Sequence, residues 1–179
     1  PINGTPINGT NVTFSVVSPG GDAVVSPAIV STVNGYANTT LTLSTKIGIN
    51  TVRAISTRYD VNTTVNVTGI AGNATQLNLT TDKRSLPTGA TATITARLLD
   101  AYGNPTALNA TGGTGPVNIS FIPDTTEYGN VTGGIGPVDS GRYNLTVNGV
   151  ATVQFVAGGK SGLTKITASA EGLIPDSVE

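Results

Sequence analysis

Ala92-Thr93-Ile94-Thr95-Ala96-Arg97-Leu98 places an apolar residue at every second position. Successive side chains of a strand point to opposite faces, so a period of two makes one face apolar and leaves the other wet. Val117-Asn118-Ile119-Ser120-Phe121 repeats the pattern with Val, Ile and Phe inward. Tyr143-Asn144-Leu145-Thr146-Val147 continues it, with Tyr, Leu and Val predicted inward. Turn clusters separate these runs: Pro19-Gly20-Gly21-Asp22, Tyr102-Gly103-Asn104-Pro105, Gly112-Gly113-Thr114-Gly115-Pro116 and Gly158-Gly159-Lys160. No apolar period of 3.6 is sustained, and Thr, Val, Asn and Gly suit strands and turns better than helices. Short strands with regular turn signals predict an all-β protein, a sandwich or a barrel.

Composition narrows the chemistry. The 179 residues suffice for one or two sandwich modules, but aromatics are only 4% and Trp and Met are absent, so Val, Ile, Leu and Ala must fill the core. Charged residues make up 11% with a net charge of −1, which gives no basic footprint for nucleic acid. A hydrophobic fraction of 37% argues against disorder. There is no His and no Cys. That removes the usual general base, every thiol nucleophile and most transition-metal sites, and no disulfide can staple the fold. No apolar run reaches the ~18 residues of a membrane span, and no signal peptide is evident. Pro1 is an unusual native start, so the chain reads as a mature or excised piece.

The chain also repeats itself. Asn34-Gly35-Tyr36-Ala37 through Ala54 aligns without gaps on Asn148-Gly149-Val150-Ala151 through Ala168. Leu41 falls on Phe155, Lys46 on Lys160, Gly48 on Gly162 and Val52 on Ile166, and upstream Asn11-Val12-Thr13-Phe14 falls on Asn118-Ile119-Ser120-Phe121. A repeat of this length is a domain duplication rather than a solenoid unit. Residues 1–70 form an incomplete domain that lacks its first strands, because only Pro1–Thr10 precede the first matching strand. Residues 71–179 form a complete one, with an insertion near 123–143. The absent strands either lie upstream in a longer protein or are donated by another chain. Gly69–Gly72 reads as the linker and Glu171–Glu179 as an exit towards a further module.

Four motifs of the second copy, in order, resemble the bacterial Ig-like group 1 domains of the invasin and intimin type. They are Leu99-Asp100-Ala101-Tyr102-Gly103-Asn104-Pro105, Val117–Phe121, Asn148–Val153, and Gly162-Leu163-Thr164-Lys165-Ile166-Thr167-Ala168. The first copy repeats the last three. The resemblance covers most of the chain and implies tandem immunoglobulin-like β-sandwiches on a prokaryotic cell surface, acting as stalk or adhesin. Two departures stand out: the truncated first copy and the Pro123–Tyr143 insertion. No receptor-binding cap is recognisable. Read without the family, Asn-Gly supplies the positive φ of a tight hairpin turn, and Gly48 and Gly162 sit where a loop reverses before the last strand.

The strongest chemical signal is the N-x-S/T sequon. Asn3, Asn8, Asn11, Asn38, Asn62, Asn66, Asn73, Asn78, Asn109, Asn118, Asn130 and Asn144 qualify, twelve of sixteen Asn. Chance would give about four. A wet strand face rich in Asn and Thr generates N-x-T by itself, since i and i+2 share a face. That does not explain the loop sequons at Asn3, Asn73 and Asn109. N-linked glycans are therefore expected, and their density favours an archaeal over a bacterial source.

The ten carboxylates are scattered, with Asp124 and Glu127 paired three residues apart beside the insertion. A calcium site would need several converging oxygens, and glycoside hydrolysis would need two facing carboxyls. Neither is expected, and no P-loop, dinucleotide fingerprint or G-x-S-x-G elbow occurs. Asp139-Ser140-Gly141-Arg142-Tyr143 has the residues of a tyrosine corner, but its place before a hairpin suits a plain turn with Tyr143 packed inward.

The expected function is a non-catalytic, extracellular, glycosylated module of a stalk, surface layer or fibre, without cofactor or metal. Its expected partners are neighbouring modules or identical chains. One alternative is an adhesin that binds a protein or glycan through the 124–139 loop. Another is an accessory domain of a secreted enzyme.

Overall fold

The computed structural model describes residues 5–18, 21–135 and 142–179. Two compact units divide at Ile70/Ala71. The first contains β1 (Asn11–Ser18), β2 (Val24–Ser26), β3 (Ile29–Ser31), β4 (Thr40–Thr42), β5 (Gly48–Ser56) and β6 (Val61–Gly69). The second contains β7 (Gln76–Thr81), β8 (Thr91–Leu99), β9 (Asn118–Pro123), β10 (Gly129–Thr132), β11 (Arg142–Leu145), β12 (Val150–Ala157), β13 (Ile166–Ser169) and β14 (Asp176–Val178). No helix occurs among the described residues.

The second unit is an immunoglobulin-like sandwich. One sheet runs β10-β12-β8-β7 and the other β11-β9-β13-β14, every named pair antiparallel. These are the two sheets of the immunoglobulin arrangement. One departure is that β10 joins its sheet before β11 joins the other. The predicted alternation sets the core: Ile94, Ala96 and Leu98 of β8 and Ile119 and Phe121 of β9 are buried, meeting Val153 of β12 and Ile166 of β13. Phe121 is the largest fully buried side chain, consistent with a core built from small aliphatics.

Both units carry the same Asn-Gly hairpin. Asn34 and Gly35 have φ of 50° and 80°, and Asn148 and Gly149 have 51° and 76°. Bridges Val33↔Tyr36 and Val147↔Val150 close the two turns. Two consecutive positive φ values make a type I′ turn, whose twist matches the flanking strands. At Gly149 space adds to conformation, because a Cβ there would lie 2.0 Å from the Thr106 carbonyl oxygen.

The first unit has a four-stranded sheet ordered β3-β1-β5-β6 and a two-stranded sheet β2-β4. The order matches β11-β9-β13-β14 and β10-β12 position for position. No described strand of the first unit stands where β7 and β8 stand in the second. Val52 is its one buried apolar residue among those described.

Three expectations are corrected. Tyr143, Leu145 and Val147 are exposed, while Thr146 is buried. Edge strand β11 pairs Asn144 with Ile119 and Arg142 with Phe121, so the polar set shares the inner side. Glu171–Glu179 is not an exit segment: it holds β14, and Leu173 and Val178 close the core. The span 124–139 is not all loop, since β10 occupies Gly129–Thr132 with Val131 buried. Residues 136–139 of that span, and Asp139–Gly141 of the tyrosine-corner stretch, lie outside the described residues.

Candidate functional site

The sequons fall on strand faces and loops. On β6, Asn62, Thr64, Asn66 and Thr68 alternate with Val61, Thr63, Val65 and Val67. Asn11 and Thr13 on β1, and Asn118 and Ser120 on β9, follow the same rule. Asn8, Asn11, Asn38, Asn62, Asn66, Asn73 and Asn118 are exposed, whereas Asn78, Asn109, Asn130 and Asn144 are half-buried. Asn3 lies outside the described residues. Two of the half-buried group, Asn109 and Asn144, do internal work. The Asn144 Nδ2 donates to the Thr152 carbonyl at 2.6 Å. The Asn109 Oδ1 accepts from the Thr111 and Gly113 amides at 3.0 and 2.8 Å, tying its own loop. The Asn130 Oδ1 is buried with no hydrogen-bond partner. By contrast, Asn66 accepts only from the exposed Thr51 hydroxyl among the hydrogen bonds described, at 2.8 Å.

The Asp100–Asn104 motif forms a clasp. The Asp100 carboxylate, buried after β8, accepts from the amides of Tyr102 (2.9 Å), Asn104 (2.9 Å) and Gly72 (3.0 Å), and from the Asn104 side-chain amide (3.0 and 3.2 Å). Burial pushes its pKa up, but hydrogen bonds from Asn104, Gly72 and Tyr102 outweigh that and hold it at about 2. The clasp therefore ties the entry segment 71–75 to the β8–β9 connection.

Asp124 accepts from the Thr164 hydroxyl (2.9 Å) and the Lys165 amide (3.0 Å), the amide first among the causes that lower its pKa. Glu127 pairs with Lys160 at 2.9 Å. These two carboxylates thus stabilise loops separately. Among the described residues no three His, Cys, Asp or Glu converge on a metal position, and no helix is long and apolar enough to cross a membrane.

What the sequence reading did not single out is the inner face of the first unit's larger sheet. Val65 pairs directly with Val52, so their side chains share a face. Val61, Val65 and Val67 form an apolar row there, exposed by 54%, 59% and 38%. The equivalent pair in the second unit is Val178 with Ile166, and there Val178 is 9% exposed. At one end of the row lies a cavity of about 620 Å³ lined by Ile7, Val12, Tyr36, Tyr59 and Val61. The Thr10 and Ser56 hydroxyls border it, both buried without a hydrogen-bond partner. The signal was available: Val61-Asn62-Thr63-Thr64-Val65-Asn66-Val67-Thr68 alternates as plainly as β8 does.

No protein-family model matches the chain, and no curated protein matches it in sequence. In structure it is similar to a β-glycosidase from Bacteroides vulgatus, with a TM-score of 0.50 and 15% identity over 94% of this chain and 21% of that one. It is also similar to the Escherichia coli adhesin FdeC, with 0.46 and 16% over 99% and 55%. The D0-D1 domain of intimin aligns at 0.39 and 20% over 98% and 83%. The chain thus spans about a fifth of the glycosidase, and that likeness is one of fold.

Proposed function

We propose that the chain is a structural, non-catalytic segment of an extracellular surface protein, built of two copies of one immunoglobulin-like module and N-glycosylated on its wet faces. Residues 1–70 are the copy without the first two strands, and residues 71–179 the complete copy. The observation that carries the reading is the alternation on β6 and β9: sequon Asn and Thr or Ser share one face, and the other carries Val61, Val65 and Val67 on β6 and the buried Ile119 and Phe121 on β9. Glycans on such rows hydrate a chain with only 11% charged residues. They also leave the inner faces free for packing. The resemblance to invasin- and intimin-type domains supports a stalk, surface-layer or fibre role, with neighbouring modules or identical chains as partners.

Intact-mass spectrometry of native material, with light scattering on the same sample, tests this. A mass well above 17.9 kDa with glycopeptides at the exposed Asn supports it. A bare monomer refutes the glycosylated-array reading. A second reading, an accessory segment of a longer secreted enzyme, is suggested by the alignment on part of a β-glycosidase. A catalytic domain in the same reading frame would favour it.

A further inference from the structure

We infer that the open inner face of the first unit is a receptor for a two-stranded antiparallel β-hairpin with the chemistry of β7–β8, supplied by a segment of the same repeat type. The inference rests on reading both units as copies of one module, and the second unit shows how such a face is covered. There β8 pairs with β12 from Val150↔Arg97 to Val156↔Thr91, and its Ala92, Ile94, Ala96 and Leu98 enter the core. Ahead of it β7 runs beside β14: the Leu77 amide donates to the Ile174 carbonyl and the Ile174 amide to the Thr75 carbonyl, both at 2.9 Å.

The first unit keeps the receiving half of both contacts. The strand β4 corresponds to residues 154–156 of β12, and it pairs with β2 on one side only. Its other edge offers unpaired backbone groups, the feature that recruits an added strand. Strand β6 corresponds to β14, with Val65 in the place of Val178 and Val61 in the place of Ile174. A hairpin of this type would lay one strand along Thr40–Thr42 and the other beside Val61. Its alternate apolar residues would cover Val65 and fill the 620 Å³ cavity. The Thr10 and Ser56 hydroxyls, buried without partners, would gain neighbours. No Asp, Glu, Lys or Arg lies on the inner row Val61, Thr63, Val65, Val67. That selects an occupant whose inward face is apolar and uncharged, as that of β8 is.

The test adds a synthetic peptide of residues 74–100 to the full chain labelled for NMR, beside a scrambled peptide of equal composition. Expected are exchange of the Leu41 amide slowed at least about 10-fold, and displaced Val61 and Val65 methyl signals. Ile119 and Ile166 should not move, and Val65→Asp should abolish the response. Val61→Thr, nearly isosteric, serves if the aspartate unfolds the first unit. Three results would overturn the inference: an equal response to the scrambled peptide, no response at Leu41 or Val65, or changes confined to the second unit. A peptide-free dimer with the Leu41 amide already protected would also overturn it, since the edge would then be closed by self-association without any added hairpin. The two readings fail separately. A bare monomer that takes the peptide keeps the receptor and loses the glycosylated array, and a glycosylated polymer indifferent to the peptide does the reverse.

Discussion

Replacing Asp100 should weaken the second unit by a calculable amount and change its acid response. A carboxyl that titrates near 3.8 when unfolded and at about 2 when folded contributes roughly 2 kcal/mol at neutral pH. Because the folded value is the depressed one, the contribution is complete above the unfolded value and is lost as pH falls through about 2. Asp100→Asn keeps one acceptor oxygen but turns an NH2 towards the Gly72 amide or the Asn104 side chain, both donors. It should cost about 2–3 kcal/mol. Asp100→Ala removes both acceptor oxygens at once and should cost about 3–4 kcal/mol. Hydrogen exchange at Ile94, Ile119 and Val153 under increasing urea isolates this unit from the other. Parent and variants should differ most at neutral pH and converge on acidification to about pH 2. Asp100→Asn within about 0.5 kcal/mol of the parent at neutral pH, or with the parent's full acid loss, would refute the clasp argument.

Gly149→Ala should destabilise the second unit by more than about 2 kcal/mol in thermal unfolding, since it combines a positive φ with a Cβ 2.0 Å from the Thr106 oxygen. Gly35→Ala, whose nearest contact is the Pro6 Cβ at 3.1 Å, should be the milder change. Phe121→Ala should cost about 3–5 kcal/mol and abolish exchange protection in the second unit while leaving β5–β6 amides unchanged. Asn144→Gln should lower stability through loss of the 2.6 Å bond to Thr152. Asn62→Gln and Asn66→Gln should leave stability unchanged and each remove one glycan from the native mass. In an NMR titration the Asp22 carboxyl should have its midpoint at about 2, held down by the Ser44 hydroxyl and the Thr45 amide. The turn it secures should therefore persist above that pH and loosen below it.

The period of two in β8 and β9 was enough to read strands and their buried sides, because each lies inside a sheet with one face on the core. Edge strands escaped that logic. In β11 the inner side is only partly covered, so Arg142 and Asn144 sit there and Tyr143 and Leu145 face water. Strand β14 has three residues and follows a proline, too short to show a period. The Asn-Gly turns were legible because two consecutive positive φ values demand those residues. The clasp was visible only as a motif, since its purpose depends on Gly72, brought within 3.0 Å by folding. The alternation of β6 was legible, but one copy alone does not show that its inner row lies uncovered. It emerges when Val65 is set beside Val178, the same position with and without a covering strand.

Strand β6 is nine residues long, rich in Val and Thr, uncharged and free of proline, and it stands at a sheet edge. Those are the properties of a segment that nucleates cross-β growth. Left bare at high concentration, the protein should therefore polymerise through this edge, with a lag that seeding abolishes. The sequons at Asn62 and Asn66 sit on the same strand. A sugar at either would crowd stacked copies on one side while leaving the valine row accessible on the other, acting as a gatekeeper that the bare polypeptide lacks. Material made without glycosylation should be harder to keep in solution for that reason alone.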